Sequence, residues 1–465
     1  MNSRLWGRRL KEDKKFADKE EQLVDQLIGE QRLVEDYLGE RARIYGAERA
    51  ILVDLYTPRS TERDRRETLI ELEALAETAG IPTLAVITQQ RDRPDPSFFI
   101  GRGKAGEIKA AAATVGADVI IFNDPLSPAQ ARNLEEKIGL KIIDRPQLIM
   151  DIFAQRATTK EAQLQVELAQ LEYLRTRLRG WGKALTRLGG GVGTRGPGET
   201  KLETDRQKIA DRLYRIKQKL LKVKQERKLR GKWRSSSTLP KITLVGYTNS
   251  GKSTLLNMLC AEQSLVEDKL FATLETMVRR TALTDGRPVL FIDTVGFIRD
   301  LPHSLIPAFA ATLEAVRSAD LLLHILDGMN PSCADQHDTV IQILDEEIFT
   351  DGEKRPPIIT VINKIDLLPA NSLPCPALFA DAVSISAAQR INLESLQNKI
   401  ALLLAKGERE MNLLFPFRCL GVLEQMYSAG RVLNQHHEKE GVKVRVRVKE
   451  SDLVSLRNAG VILLD

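Results

Sequence analysis

The chain has 465 residues, 43% of them apolar, and a formal net charge of +6. That is length for about three domains, and its uninterrupted apolar strings are strand-sized, too short for a membrane-spanning helix. The positive charge is concentrated: residues 205–234 hold 13 Lys/Arg against 3 Asp/Glu, a local +10 that leaves the remainder near −4, so an anionic partner is expected there.

Cys260, Cys333, Cys375 and Cys419 are far apart, with no C-x-x-C pair and no histidine at metal spacing. They predict reduced thiols in a cytoplasmic protein. The polar N-terminus lacks the apolar core of a signal peptide.

In chain order, the first region, residues 1–157, alternates short β-rich stretches (50–55, 82–89, 118–123, 141–144) with helical patterns (66–78, 104–115, 127–138). Such alternation predicts a small parallel α/β domain. Residues 158–235 predict a helical hairpin. Leu164, Leu168, Leu171, Leu174 and Leu178 share one face, and Ile209, Leu213, Ile216, Leu220 and Val223 repeat at heptad spacing. Antiparallel packing of the two would bury the seams and turn the basic residues outward.

The hairpin tip reads Gly189-Gly190-Gly191-Val192-Gly193-Thr194-Arg195-Gly196. It satisfies G-x-G-x-x-G, but no strand precedes it, so a dinucleotide site is disfavoured. Glycines expose backbone N–H groups that can follow phosphate oxygens. With Arg187, Arg195 and Lys201 nearby, the tip is a candidate RNA contact; a plain flexible turn is the other reading.

Residues 238–407 resume α/β alternation, with strands expected at 242–245, 289–293, 321–326, 358–362 and 382–386. The first leads into Gly246-Tyr247-Thr248-Asn249-Ser250-Gly251-Lys252-Ser253-Thr254, a G-x-x-x-x-G-K-[ST] loop before a helix. Its amides would wrap phosphates, Lys252 would reach the β/γ oxygens and Ser253 would ligate Mg²⁺. Asp293-Thr294-Val295-Gly296 follows the second strand: Asp293 would hold Mg²⁺ through water and the Gly296 N–H would bond the γ-phosphate. Asn363-Lys364-Ile365-Asp366 follows the fourth. A carboxylate there accepts from guanine N1–H and the 2-amine together, and adenine would leave it unpaired. Ser386-Ala387 fits a further loop on the guanine carbonyl. Between the first two motifs lies Phe271-Ala272-Thr273-Leu274. Thr273 is the candidate to close over Mg²⁺ and the γ-phosphate, with Thr276 the rival. Residues 410–465 predict a small α+β module: a helix around 423–433, a strand at 442–448 and a helix from Ser451. His436 and His437 are expected in an exposed polar turn, and the five histidines are expected to form no site.

At this point the chain resembles the HflX branch of translation-factor-class GTPases. The three loops carry the likeness, together with Leu270–Leu274, Asp293-Thr294-Val295-Gly296-Phe297-Ile298-Arg299, Ile100-Gly101-Arg102-Gly103-Lys104, Leu126-Ser127-Pro128-Ala129-Gln130, Asp151-Ile152-Phe153-Ala154-Gln155-Arg156 and the stretch through Gly198-Glu199-Thr200. The resemblance implies a Mg²⁺-dependent GTPase that binds GTP and GDP and the large ribosomal subunit and its rRNA, and that splits or rescues ribosomes under stress. A monomer is expected in solution. The chain departs from the family at Glu275-Thr276-Met277, where Asp-Pro-Thr is usual.

Phe297 stands where related enzymes often carry a water-orienting glutamine, so intrinsic hydrolysis is expected to be slow. Ribosome-ordered switches or a monovalent cation, K⁺ held with the help of Asn249, would supply the difference. Two other readings stay open: a GTP-controlled scaffold whose hairpin grips a protein, and an RNA-remodelling protein with a second, ATP-using site near Gly101-Arg102-Gly103-Lys104. Salt separates RNA from protein docking, since phosphate contacts weaken steeply as salt rises.

Overall fold

The computed structural model describes residues 48–185, 197–234, 239–260, 271, 276–299, 310–349, 355–368, 380–406, 408–428, 432–438, 440–449, 453 and 456–464. The chain divides into two compact units, Met1–Lys222 and Val223–Asp465.

The first unit holds a parallel four-stranded sheet in the order β2-β1-β3-β4, built from β1 (Ala50–Tyr56), β2 (Thr83–Gln90), β3 (Val119–Phe122) and β4 (Lys141–Asp144). Helices α1 (Glu62–Thr78), α2 (Arg102–Val115) and α3 (Pro128–Ile138) make the crossovers. Their ends follow local chemistry. Thr61 with Asp64 and Ser127 with Gln130 form capping boxes, and Gly116 and Gly139 close α2 and α3 in the left-handed region. One face of the sheet packs Ile51, Val53, Ile120 and Phe122 against Ile108 and Leu134.

A helix not anticipated, α4 (Arg145–Arg156), starts directly from β4. Asp144 is both the last strand residue and the N-cap, accepting from the Gln147 N–H, so no turn residues mark the boundary. The same buried carboxylate accepts from the Tyr173 hydroxyl and, at 3.3 Å, from the Arg177 guanidinium. Burial, then the Asp144 charge, pushes the Tyr173 phenol well up. These bonds dock α5 (Lys160–Leu185) on the sheet domain. Leu164, Leu168, Leu171 and Leu174 of α5 bury against Ile209, Leu213 and Ile216 of α6 (Pro197–Arg234), as the heptad spacing predicted. Arg212 pairs with Glu167 and Lys217 with Glu172 beside that seam.

The second unit carries a six-stranded sheet in the order β10-β9-β8-β5-β7-β6. The strands are β5 (Lys241–Gly246), β6 (Met277–Ala282), β7 (Pro288–Asp293), β8 (Leu321–Asp327), β9 (Ile358–Asn363) and β10 (Val383–Ser384). All pair in parallel except β6, an antiparallel edge strand on β7. The expected strand at 382–386 contracts to two residues. Helices α7 (Lys252–Cys260), α8 (Ala310–Arg317), α9 (Cys333–Ile343) and α10 (Leu393–Ala405) belong to the same layer set. On one face, Ile242, Leu244, Phe291, Leu323 and Ile325 pack with Leu255, Leu396 and Ile400. On the other, Val245 and Leu322 pack with Val316, Val340 and Leu344. His324 of β8 is fully buried, stacks on His337 of α9 with ring centroids 5.0 Å apart, and has no hydrogen-bond partner on either ring nitrogen. Burial lowers its imidazole to about 3, helped by His337.

The last part is an antiparallel sheet in the order β12-β13-β11-β14, with β11 (Glu408–Pro416), β12 (Val432–Glu438), β13 (Gly441–Lys449) and β14 (Ile462–Leu464), and helix α11 (Leu420–Ser428). The module is α+β as expected, but its layout is corrected. The helix around 423–433 ends at Ser428, and Val432 and Leu433 open β12. His436 and His437 are exposed within that strand, not in a turn. Of the helix expected from Ser451, Leu453 and residues 456–458 are helical among the described residues. Arg287, in the β6–β7 turn, forms a buried two-pronged ion pair with Glu408 of β11 at 3.2 and 2.9 Å. Among the described residues, no helix is long and apolar enough to cross a membrane.

Candidate nucleotide-binding site

Strand β5 delivers Gly246 to the sheet's carboxyl edge, and the chain wraps through residues 247–251 before entering α7 at Lys252. Two glycines are sterically required. A Cβ on Gly246 would lie 2.3 Å from the Ile325 carbonyl oxygen, and one on Gly251, whose φ is +89°, would lie 2.2 Å from Asn363 Nδ2. Asn249 takes the left-handed conformation at φ +59° and is exposed at the loop's outer side. Lys252 is buried, its ammonium donating to the Gly246 and Tyr247 carbonyls at 3.2 and 2.7 Å. Burial lowers it to about 8, against the opposing pull of Asp293. The Thr248 and Ser250 hydroxyls are buried with no protein partner, donors suited to phosphate oxygens. Thr254 follows Ser253 in the first turn of α7.

Asp293 closes β7 beside this loop. Ser253 Oγ donates to Asp293 Oδ2 at 2.6 Å, which puts a hydroxyl and a carboxylate, both hard oxygen donors, side by side. That donor pair suits Mg²⁺, which is usually bound by one or two protein oxygens plus substrate phosphates and water. Thr294 donates from its hydroxyl to the Leu244 carbonyl at 2.6 Å, and Val295 is buried. Gly296 passes so close that a Cβ would lie 2.8 Å from Thr248 Cα and 2.9 Å from Lys252 Nζ. Phe297 then locks onto the loop through its backbone. Its N–H donates to the Gly246 carbonyl at 3.0 Å, and its carbonyl accepts from Thr248 at 2.8 Å. Its ring is buried among Val245, Val316, Leu322 and Val340. The aromatic side chain after the glycine is therefore a core residue.

At the base-side end, Asn363 terminates β9. Its Nδ2 donates to the Ser250 carbonyl at 3.0 Å, and its Oδ1 accepts from the Ala387 N–H at 3.0 Å. One amide thus joins three candidate segments. Ser386 is buried and its hydroxyl accepts from Gln389 N at 3.0 Å. Lys364 is left-handed at φ +66°, and Asp366 lies exposed in the short 3-10 turn Ile365–Leu367.

The structure brings together the residues proposed at 246–254, 293–296, 363–366 and 386–387. Phe271 is buried, with φ +55°. Ala272, Thr273, Leu274, Arg187 and Arg195 lie outside the described residues, as does the glycine stretch, and Lys201 falls within α6. Sequence reading missed the Tyr247 hydroxyl, which accepts from the Arg299 N–H at 2.8 Å. It also gave Asn363 no role beyond its motif; only the fold reveals the bridge. No group of three or more His, Cys, Asp or Glu residues suited to a metal occurs among the described residues.

A glycine-bent phosphate cradle on the first strand of a mostly parallel sheet, with an Asp-x-x-Gly segment and an Asn-Lys-x-Asp segment at the same edge, defines a P-loop GTPase. Family models match in three successive stretches: a GTP-binding GTPase N-terminal region over residues 66–154, its middle region over 156–234, and a 50S ribosome-binding GTPase over 241–364. The GTPase HflX of Caldanaerobacter subterraneus subsp. tengcongensis is 42% identical over 437 residues, covering 94% of this chain and 99% of that one. That of Lacrimispora saccharolytica is 41% identical, covering 88% and 95%, and that of Escherichia coli K12 is 46% identical, covering 70% and 75%. The chain belongs to the HflX family of GTPases.

Proposed function

We propose that this GTPase binds the large ribosomal subunit under nucleotide control and promotes the splitting or rescue of ribosomes under stress. The observation that supports the ribosomal part of the reading is the match of residues 241–364 to a family model described as a 50S ribosome-binding GTPase; the Asn363 bridge between the phosphate loop and the base-side segments supports the nucleotide part. On this reading the parts are an α/β domain at 1–157, a hairpin at 158–235, the GTPase domain at 238–407 and a small module at 410–465. Lys252 and the loop amides hold and neutralise the phosphates, and Asp366 reads the guanine edge. Ser253, Thr273 and, through water, Asp293 would hold Mg²⁺, which would supply neutralisation of phosphate charge. Gly296 and Thr273 let go when the γ-phosphate leaves, and affinity for the ribosome changes with them. The basic hairpin region, with Arg187, Arg195 and Lys201 as candidate contacts, meets rRNA. With the Phe297 ring buried in the core, ordering by the ribosome, or a K⁺ ion that Asn249 would help to hold, would complete the hydrolytic site.

The test is co-sedimentation of the full-length protein with ribosomes and with free large subunits, in GTP, GDP and a non-hydrolysable analogue. Tighter association with the triphosphate and loss of 70S particles with GTP are expected. Equal pelleting in all nucleotide states would refute the reading. Lys252→Ala should abolish tight GTP binding, and equal hydrolysis rates in K⁺ and Na⁺ would remove the cation.

A further inference from the structure

The geometry points to Asp327 as a positioning residue for nucleotide binding, acting through Lys364 without touching the nucleotide. The inference rests on the reading of 363–366 as the base-side segment. Asp327 is the last residue of β8 and sits in register with Asn363 at the end of β9. Its Oδ2 accepts from Lys364 Nζ at 2.8 Å. Its Oδ1 accepts from the Met329 N–H at 2.9 Å, and its carbonyl accepts from the Asn330 N–H at 3.2 Å. The carboxylate is therefore held by its own loop before it holds the lysine.

That loop is built to sit against the base-side segment. The Gly328 N–H donates to the Asn363 carbonyl at 2.9 Å, and a Cβ on Gly328 would lie 2.9 Å from that oxygen and 3.0 Å from Ile362 Cγ2. The glycine is what allows the close approach that brings Asp327 within reach. The side chains are 25% and 19% exposed, so the pair is more shielded than an ordinary surface ion pair, whose geometry is loose.

The chemical consequence concerns the lysine's methylenes rather than its charge. A free lysine stem samples many rotamers, and that freedom is lost on binding. Anchoring the ammonium on Asp327 fixes the stem beforehand, between the buried Asn363 and the exposed Asp366. A fixed run of methylenes is an apolar rail for the face of a planar base, while the carboxylate of Asp366 is suited to its polar edge. Preorganisation of this kind lowers the cost of binding without adding a contact.

The experiment measures dissociation of fluorescent GDP and IDP from the full-length protein by stopped flow. The variants are Asp327→Asn, Asp327→Ala, Lys364→Ala, Asp327→Ala with Lys364→Ala, and Asp366→Ala. Asp327→Asn keeps an acceptor for the Met329 N–H and so preserves the loop while losing the ion pair. Both Asp327 variants and Lys364→Ala should speed dissociation about tenfold, and the double variant should be no faster than the faster single. The GDP-to-IDP ratio should not move in any of these, because a rail meets the ring face and not the 2-amine. Asp366→Ala should change that ratio. Dissociation within twofold of wild type in Asp327→Asn while Lys364→Ala is fast overturns the proposal and leaves the base-side reading standing. Additive effects in the double variant also overturn it, since Asp327 would then act by another route. No effect of either Lys364→Ala or Asp366→Ala would remove the base-side reading, and the proposal with it.

Discussion

Arg287→Ala removes one partner of the ion pair that joins the β6–β7 turn to β11. The guanidinium reaches both oxygens of Glu408, and the two side chains are 8% and 9% exposed. Truncation strands the Glu408 carboxylate where water hardly reaches, and Asp285, 3.7 Å from Arg287 Nε, loses a cation too. Breaking a buried pair by removing one partner costs about 3–5 kcal/mol, most of it the unpaired charge. In urea, with a slope of roughly 3 kcal/mol per molar for a unit of this size, the midpoint should fall by about 1–2 M. The assay is urea unfolding of the full-length protein, following the transition of the second unit. Arg287→Met combined with Glu408→Gln removes both charges and should recover most of the loss. A fall below about 0.3 M in Arg287→Ala would refute the reasoning, for it would give the pair the value of an exposed one.

Gly251→Ala places a Cβ 2.2 Å from Asn363 Nδ2 at a backbone φ of +89°, so it should break the bond to Ser250 and weaken GDP binding about 100-fold by fluorescence titration. His324 has its proton affinity depressed by burial, to about 3. The unfolded chain then binds a proton that the folded one refuses between about pH 6.5 and 3, so this group's contribution is intact above pH 6.5 and is lost as pH falls. His324→Phe should therefore show a shallower loss of stability between pH 6.5 and 4 in thermal unfolding, and a slope equal to wild type would contradict it. Ile216→Ala in the buried hairpin seam should cost about 2–5 kcal/mol, measured by circular dichroism as an earlier loss of helix.

Much of the site could be read from the chain because it is local. The loop at 246–254 and the segments at 293–296 and 363–366 are contiguous runs whose residue types follow from what phosphates and a guanine edge require. The heptad seam was readable for the same reason, since Leu164, Leu168 and Leu171 repeat at helical spacing and do meet Ile209, Leu213 and Ile216. What escaped was non-local or unpunctuated. β6 alternates half-buried and exposed residues, with Arg279 and Arg280 in its middle, so it carries no apolar run. α4 follows β4 with no turn between them, because Asp144 serves both. β12 was mistaken for the end of a helix because Val432 and Leu433 continue the apolar spacing of α11, although the helix ends at Ser428. The role of Asp327 depends on which strand lies beside β9, a fact of topology that no single window of sequence contains.

The planar amide of Asn363 gives to one loop with its nitrogen and takes from another with its oxygen. On the proposed reading of these loops, the grip on the two ends of a bound nucleotide would be coupled through this one amide. Asn363→Asp, almost identical in shape, would turn an oxygen toward the Ser250 carbonyl and set two acceptors against each other. Damage at this single side chain would be felt along the whole length of the ligand.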